Sequence, residues 1–262
     1  MAVGVVREER SEGGFVARVT IDRAAKLNAL DRALMAEIIE AMTGLAADPD
    51  LRLAIVTGAG GRAFIGGADI DDLAALDAGS ARHFITAVHV CCDAFRHLPV
   101  PAIARIDGYA LGAGLELAAA CDFRIASERA MFGMPEVRIG IPSVVEAALL
   151  PQLVGPARAR RLLLTGENIG AEEALAWGLV DRVVPTEELD DAVEALAAAI
   201  LAGGPEAIRI QKALILDWEE MHTHAAVERG IEAFAEAFAT DEPQRMTGAA
   251  RAALQARRKA GR

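Results

Sequence analysis

Aromatic residues are scarce, at 4% of 262 positions with a single tyrosine. Hydrophobic residues still reach 53%, so the core is expected to be sizeable and built from small aliphatic side chains. Cysteine is also rare. Cys91 and Cys92 are adjacent and Cys121 makes the total odd, which argues against a disulfide framework and suits a reducing, cytoplasmic setting. The cysteines form no C-x-x-C pair. No two of His83, His89, His97, His222 and His224 stand at the i, i+4 spacing of a zinc-binding helix, so no metal is expected. G-x-S-x-G is missing, and with it a serine nucleophile elbow. No uninterrupted apolar run approaches the ~18 residues of a membrane span. Residues 1–10 hold acidic side chains where a secretory signal has an apolar stretch. Positive charge is in deficit: 27 Lys and Arg against 38 Asp and Glu give a net charge of −11. Nucleic acid, which calls for a basic face, is therefore an unsuitable partner. Anionic small ligands stay admissible, because a local lysine or a helix N-terminus can hold a phosphate.

Residues 3–7 and 15–21 read as short strands around a Gly13-Gly14 turn. Asp31 reads as the N-cap of a helix reaching Ala47, with Leu34, Met35, Ile38, Ile39 and Met42 on one face. Residues 51–57 form a compact apolar run, a buried strand ending at Gly58. A helix is predicted over 80–98, closed by Pro99 and Pro101. Strands over 101–106 and 123–126 flank a short apolar helix at 115–120. Helices over 143–150, 157–164 and 171–177 precede a strand over 179–184. From Glu187 the pattern is helical, with breaks at Gly203-Gly204-Pro205, near 221–223 and near 241–243. Alternating strands and helices over the first three quarters imply α/β layering; the last quarter reads as all-helical. There Ile208, Ala213, Leu214, Ile231, Phe234 and Phe238 are too apolar for free helices, and are expected to pack on the main body or on another subunit.

Two segments carry the chemistry. Gly66-Gly67-Ala68-Asp69-Ile70 and Gly112-Ala113-Gly114-Leu115-Glu116 each place small residues just before a helix-like stretch. Small residues let a substrate approach the backbone, and a helix start offers unpaired N–H groups and a positive dipole end. Two such N–H groups aimed at one point make an oxyanion hole. Glu116 sits inside an apolar run, residues 111–120, where burial and a second carboxylate would raise its pKa toward the range used in acid–base work. Glu136 follows Pro135 in a rigid, turn-like context; taken alone it reads equally as a surface loop charge. Lys26, in Lys26-Leu27-Asn28-Ala29-Leu30, precedes the Asp31 helix, where it could meet a phosphate, but by itself it reads as a solvated loop charge. The run Gly58-Ala59-Gly60-Gly61-Arg62-Ala63 loosely matches a dinucleotide fingerprint, but residues 63–65 read as more strand where a helix would have to start.

Taken in order, residues 26–30, 64–70, 106–117, 132–136 and 164–185 resemble the enoyl-CoA hydratase/isomerase (crotonase) superfamily over nearly the whole chain. The resemblance implies an α/β fold, a spiral of ββα units over residues 1–200, and a C-terminal helical trimerisation region over 201–262. It implies an acyl-CoA substrate and a homotrimer or dimer of trimers. The activity implied is that of a lyase of fatty acid metabolism, an enoyl-CoA hydratase adding water across the 2,3 double bond. A double-bond isomerase, racemase or hydrolase, or a non-catalytic acyl-CoA-binding protein, is the alternative. No separate cofactor is implied, since coenzyme A is part of the substrate. By resemblance, the N–H groups of Ala68 and Ala113 form the oxyanion hole and Glu116 and Glu136 are the catalytic pair. Lys26, Ala68, Asp69, Ile70, Gly112 and Ala113 are the substrate- and CoA-binding residues, and Asp71, Asp72, Leu73 and Leu76 border the acyl pocket. Arg257-Arg258-Lys259 reads as a solvated end. The chain departs from the family pattern in two places. Ala113 stands where glycine is usual. Gly140-Ile141-Pro142-Ser143-Val144-Val145-Glu146 is one residue short and lacks the usual glycine pair.

Overall fold

In the computed structural model residues 1–11 and 13–260 are described, apart from the side chains of 259 and 260. The chain divides into two compact units, Met1–Ala197 and Ala198–Arg262. In the first unit, β1 (Val3–Glu9) and β2 (Phe15–Ile21) lead to α1 (Arg32–Ala46), β3 (Leu51–Gly58), β4 (Ala63–Ile65), α2 (Ile70–Ala74) and α3 (Ala78–Arg96). Then come β5 (Ala102–Ile106), β6 (Tyr109–Leu111), α4 (Ala113–Ala120), β7 (Phe123–Ser127) and β8 (Met131–Gly133). Tight 3-10 turns at Pro135–Ile139 and Val145–Leu149 precede α5 (Leu150–Val154), α6 (Pro156–Thr165), β9 (Asn168–Gly170), α7 (Ala171–Trp177), β10 (Arg182–Val184) and α8 (Leu189–Leu201). The second unit holds the end of α8, α9 (Pro205–Glu220), α10 (Thr223–Ala237) and α11 (Glu242–Ala260).

Two sheets share the first unit. The larger has the order β1-β2-β3-β5-β7-β10, antiparallel at β1–β2 and parallel thereafter. The smaller runs β4-β6-β8-β9, parallel until β8–β9. The strand pairs β3/β4, β5/β6 and β7/β8 each give one strand to each sheet, so the chain winds as a spiral of ββα turns. β3 is buried from Leu51 to Val56, as a parallel strand covered on both faces must be. α1 starts where Asp31 accepts the Leu34 N–H at 2.8 Å and buries Leu34, Met35, Ile38, Met42 and Leu45.

Two expectations need correction, and three short strands carry no sequence signal. The strands β6, β8 and β9 have three residues each, too few to leave a period in the sequence. Residues 143–150 are not one helix. Pro142 has no N–H, Val144 is extended, and Val145 takes φ 42°, a left-handed setting that interrupts an α-helix. The strand over 179–184 shortens to β10, because Gly178 (φ 79°) ends α7 and Leu179 N–H returns to Ala174 O at 2.9 Å. That is a Schellman-type close, with glycine at the position that requires a positive φ.

In the second unit Glu242 is buried and accepts the Glu206 and Ala207 N–H groups at the start of α9, at 3.2 and 3.0 Å. Ile231 and Phe234 on α10 are 57% and 70% exposed, and Phe238 is also exposed. Arg257 and Arg258 are exposed; the Lys259 side chain lies outside the described residues. All three cysteines are buried and none forms a disulfide among the described residues. No helix among the described residues is long and apolar enough to cross a membrane. Replacing the cap, Asp31→Ala, is expected to cost about 1 kcal/mol, read as a lower thermal midpoint with the α/β circular dichroism signature kept.

Candidate active site

The two small-residue segments meet at one cavity of about 100 Å³, lined by Gly66, Gly67, Ala68, Gly112, Ala113, Glu116, Glu136 and Ser143, with apolar side chains of α3 around them. The 66–69 segment is zipped to the 26–30 loop: Gly66 N–H donates to Leu27 O, Leu30 N–H to Gly67 O, and Asp69 N–H to Leu30 O, at 2.8 to 2.9 Å. Those bonds leave the Ala68 N–H without a hydrogen-bond acceptor among the described residues. Ala113 opens α4, so its N–H has no intrahelical partner either. The segments approach closely because Gly67 (φ 116°) and Gly112 (φ 50°) face one another. A methyl on Gly112 would lie 3.9 Å from Gly67 Cα and would collide with Glu136 Oε1.

Every residue of α4 is buried. Its C-terminal end is held by the buried Arg124 guanidinium, which donates to Cys121 O at 2.7 Å and Ala118 O at 3.4 Å. Glu116, one turn from the helix start, is 4% exposed. Burial, then the charges of Glu136 and Glu146, push its carboxyl from the ordinary 4.5 up to about 8, against backbone N–H bonds from Ala147 and Val144 that favour ionisation. Glu116 is therefore a neutral acid at pH 7. The Ala147 N–H lies 3.3 Å from its Oε1. Glu136 is half-buried and accepts a hydrogen bond from Ser143 Oγ at 2.7 Å. The site thus offers two unused N–H donors, one neutral carboxylic acid and a second carboxyl group oriented by a serine.

The other residues singled out in the sequence fall into two groups. Ile70 and Leu73 line the cavity and an adjoining apolar chamber of about 790 Å³, which continues past Leu76, Phe84, Ile85, Ile139, Ile141 and Val144. The carboxylates of Asp69, Asp71 and Asp72 do not line either space. Asp69 is buried, accepts the Asp71 N–H at 2.8 Å as the N-cap of α2, and receives Arg23 Nη1 at 2.6 Å; the Arg23 guanidinium holds its carboxyl below the usual carboxylate range. Its side chain caps α2 and holds the peptide that follows Ala68. Asp72 accepts the Arg32 N–H at 3.2 Å. Lys26 is half-exposed and paired with Asp71 at 2.9 Å.

Several supporting residues escaped the sequence reading. Arg23 gathers Asp69, Asp31 and Ala29 O. Asn28, fully buried at φ 58°, ties the loop to Ala59 O and Ala63 O at 3.0 and 2.8 Å. Among the described residues a single group of side chains approaches a metal-like arrangement, His89, Asp93 and Glu146, with ligand atoms within 4.8 Å of one another.

A family model described as enoyl-CoA hydratase/isomerase matches residues 11–257. The chain belongs to the enoyl-CoA hydratase/isomerase family. It is 40% identical over 229 residues to a crotonyl-CoA hydratase of Syntrophomonas wolfei, covering 87% of this chain and 88% of that protein. A carnitinyl-CoA dehydratase of Escherichia coli strain K12 is 36% identical, with 82% of each chain covered. A crystal structure of an enoyl-CoA hydratase from Bacillus anthracis superposes with a TM-score of 0.89 at 32% identity, covering 96% of both chains. This family member carries its glycine requirement at Gly112. Gly112→Ala should keep the fold and lower turnover of an enoyl-CoA by about 10²-fold or more, because Glu136 must move aside; steady-state kinetics with circular dichroism checks it. The raised value of Glu116 also has a sign in stability. Unfolded chains lose this proton near pH 4.5 and folded ones near pH 8, so the folded state holds more protons between them and stability falls as pH rises through that window. In Glu116→Gln this contribution to the decline should vanish, as measured by thermal denaturation from pH 5 to 9.

Proposed function

We propose that this chain is an enoyl-CoA hydratase. The observation that carries the reading is the joint lining of one cavity by the Ala68 and Ala113 N–H groups and by the unlike carboxyl groups of Glu116 and Glu136. The thioester oxygen takes hydrogen bonds from the two N–H groups, which stabilise the negative charge that develops on it; one such donor is typically worth about 10²–10³ in rate. The neutral Glu116 donates its O–H to a water molecule and orients it. Glu136, held by Ser143, accepts a proton from that water as its oxygen bonds to the β-carbon and the C=C electron pair moves onto the thioester. Glu136 then returns the same proton to the α-carbon, and the oxyanion collapses to the carbonyl. Oxygen and both hydrogens of one water enter the product, and neither glutamate ends changed.

The acyl chain extends into the apolar chamber beyond Leu73 and Phe84. Lys26 meets a CoA phosphate by exchanging Asp71 for it, and Ile70 and the backbone around Gly112 flank the thioester arm. Coenzyme A belongs to the substrate, so the reaction calls on no other cofactor. The exposed Ile231, Phe234 and Phe238 support a homotrimer or dimer of trimers built on the C-terminal helices, and the free cysteines suit the cytoplasm. Dehydration, the reaction in the name of the Escherichia coli relative, is the same proton path run backwards. A double-bond isomerase needs one shuttling base alone, and the neutral Glu116 beside Glu136 favours the hydratase.

The test is hydration of crotonyl-CoA and longer enoyl-CoA thioesters by Glu116→Gln and Glu136→Gln. Glu136→Gln should lose about 10²–10⁴-fold in kcat. The wild-type rate should fall above about pH 8, as Glu116 ionises, and Glu116→Gln should be slower and lack that alkaline limb. Undiminished turnover in both variants contradicts the assignment.

A further inference from the structure

The 3-10 turn Val145–Leu149 is built against expectation. Its first residue is β-branched and sits at φ 42°, a region that such side chains rarely enter. The segment before it lacks the glycines that would make the conformation easy. Something must hold the turn in place, and it matters that it is held, because the N–H groups of Val144 and Ala147 act on Glu116.

Glu146 lies inside that turn. It is 6% exposed, its Oε1 takes His89 Nδ1 at 2.6 Å, and its Oε2 is buried without a hydrogen-bond partner among the described residues. His89 projects from α3, with its side chain half-exposed. A carboxyl group this buried would be left with a second unmet acceptor if it lost that partner. The titratable groups facing Glu116 and Glu146 from neighbouring elements are few. α3 contributes His89, Asp93, Cys91 and Cys92, the 135–139 turn contributes Glu136, and α5 has none. Burial pushes the Cys91 thiol up to about 12 and Cys92 well above its usual value, so both stay uncharged. Asp93 is engaged by His97 at 2.7 Å. The charge behind Glu116 is therefore the one on Glu146, and His89 is its anchor.

We propose that Glu146, held by His89, is a positioning residue for the reaction: the pair locks the strained turn that presents the Val144 and Ala147 N–H groups to Glu116, and sets a negative charge behind that carboxyl group. The inference rests on the hydratase reading, in which Glu116 works as a neutral donor. The charge on Glu146 favours the neutral form of Glu116, as a nearby like charge does. The His89 contact also connects this inner charge to the surface, so a change at His89 reaches the active site without touching substrate.

The experiment is the pH profile of kcat for Glu146→Gln, His89→Ala and His89→Gln. In Glu146→Gln the alkaline limb should move to lower pH by about half a unit or more, so activity at pH 8.5 relative to pH 7 drops about twofold or more beyond the wild-type fall. His89→Ala should move it the same way, because Glu146 released from its donor turns away from Glu116. His89→Gln restores a donor and should keep the wild-type limb. The carboxylic-acid infrared band of Glu116, assigned by difference against Glu116→Gln, reports the same shift without turnover, so a failed hydratase assay and a failed inference are told apart. His89 is half-exposed, and its variants keep the test open if Glu146→Gln does not fold. A limb and band that stay at the wild-type pH in folded variants overturn the proposal, whatever happens to the rate.

Discussion

The enclosure of α4 governs the rest of this molecule. All eight of its residues are buried, and one of them is a carboxylic acid. An apolar helix could be covered on every side at no electrostatic cost; with Glu116 in it, the surroundings must either supply compensating hydrogen bonds or leave the acid neutral. The protein does part of each. Ala147 and Val144 offer N–H groups, yet burial and the neighbouring carboxylates outweigh them, and the group keeps its proton to about pH 8. The same enclosure decides where the helix ends point. Arg124 holds the carbonyl end, and the amide end is left to face the cavity at Ala113.

From this follows a division of labour between two residues of one chemical type. Glu116 is short of solvent and neutral; Glu136 is half-open and aligned by Ser143. In the proposed reaction one donates a hydrogen bond and the other moves a proton. Glu136 could not keep this position if Gly112 carried a side chain, since the methyl would occupy the space of its carboxylate. Positive-φ glycines at 67 and 112 and a strained Val145 thus belong to one arrangement, in which backbone conformations that cost stability bring donors and acids to a common point.

Much of this was legible in the chain. Asp31 is a cap followed by an amphipathic face, a local signal, and the helix begins where that signal says. Glu116 in an apolar run announced a buried acid, and the small residues on each side of Ala68 and Ala113 announced exposed amides. Other parts depend on contacts between distant residues. The strands β6, β8 and β9 exist because three residues of each align with a neighbour; alone they carry no period. Asp69 is tied down by Arg23, 46 positions away, a pairing that no local pattern announces. His89 and Glu146 are 57 positions apart and unremarkable in sequence. Residues 143–150 have the composition of a helix, yet the extended Val144 and left-handed Val145 break it where the segment packs over α4.

The arrangement is tested most directly by a crystal structure with a non-hydrolysable enoyl-CoA analogue. The account predicts the thioester oxygen about 2.7–3.1 Å from both the Ala68 and Ala113 nitrogens, with the β-carbon facing the gap between the Glu116 and Glu136 carboxyl groups. A thioester oxygen bound elsewhere, or a β-carbon turned away from either glutamate, would contradict it.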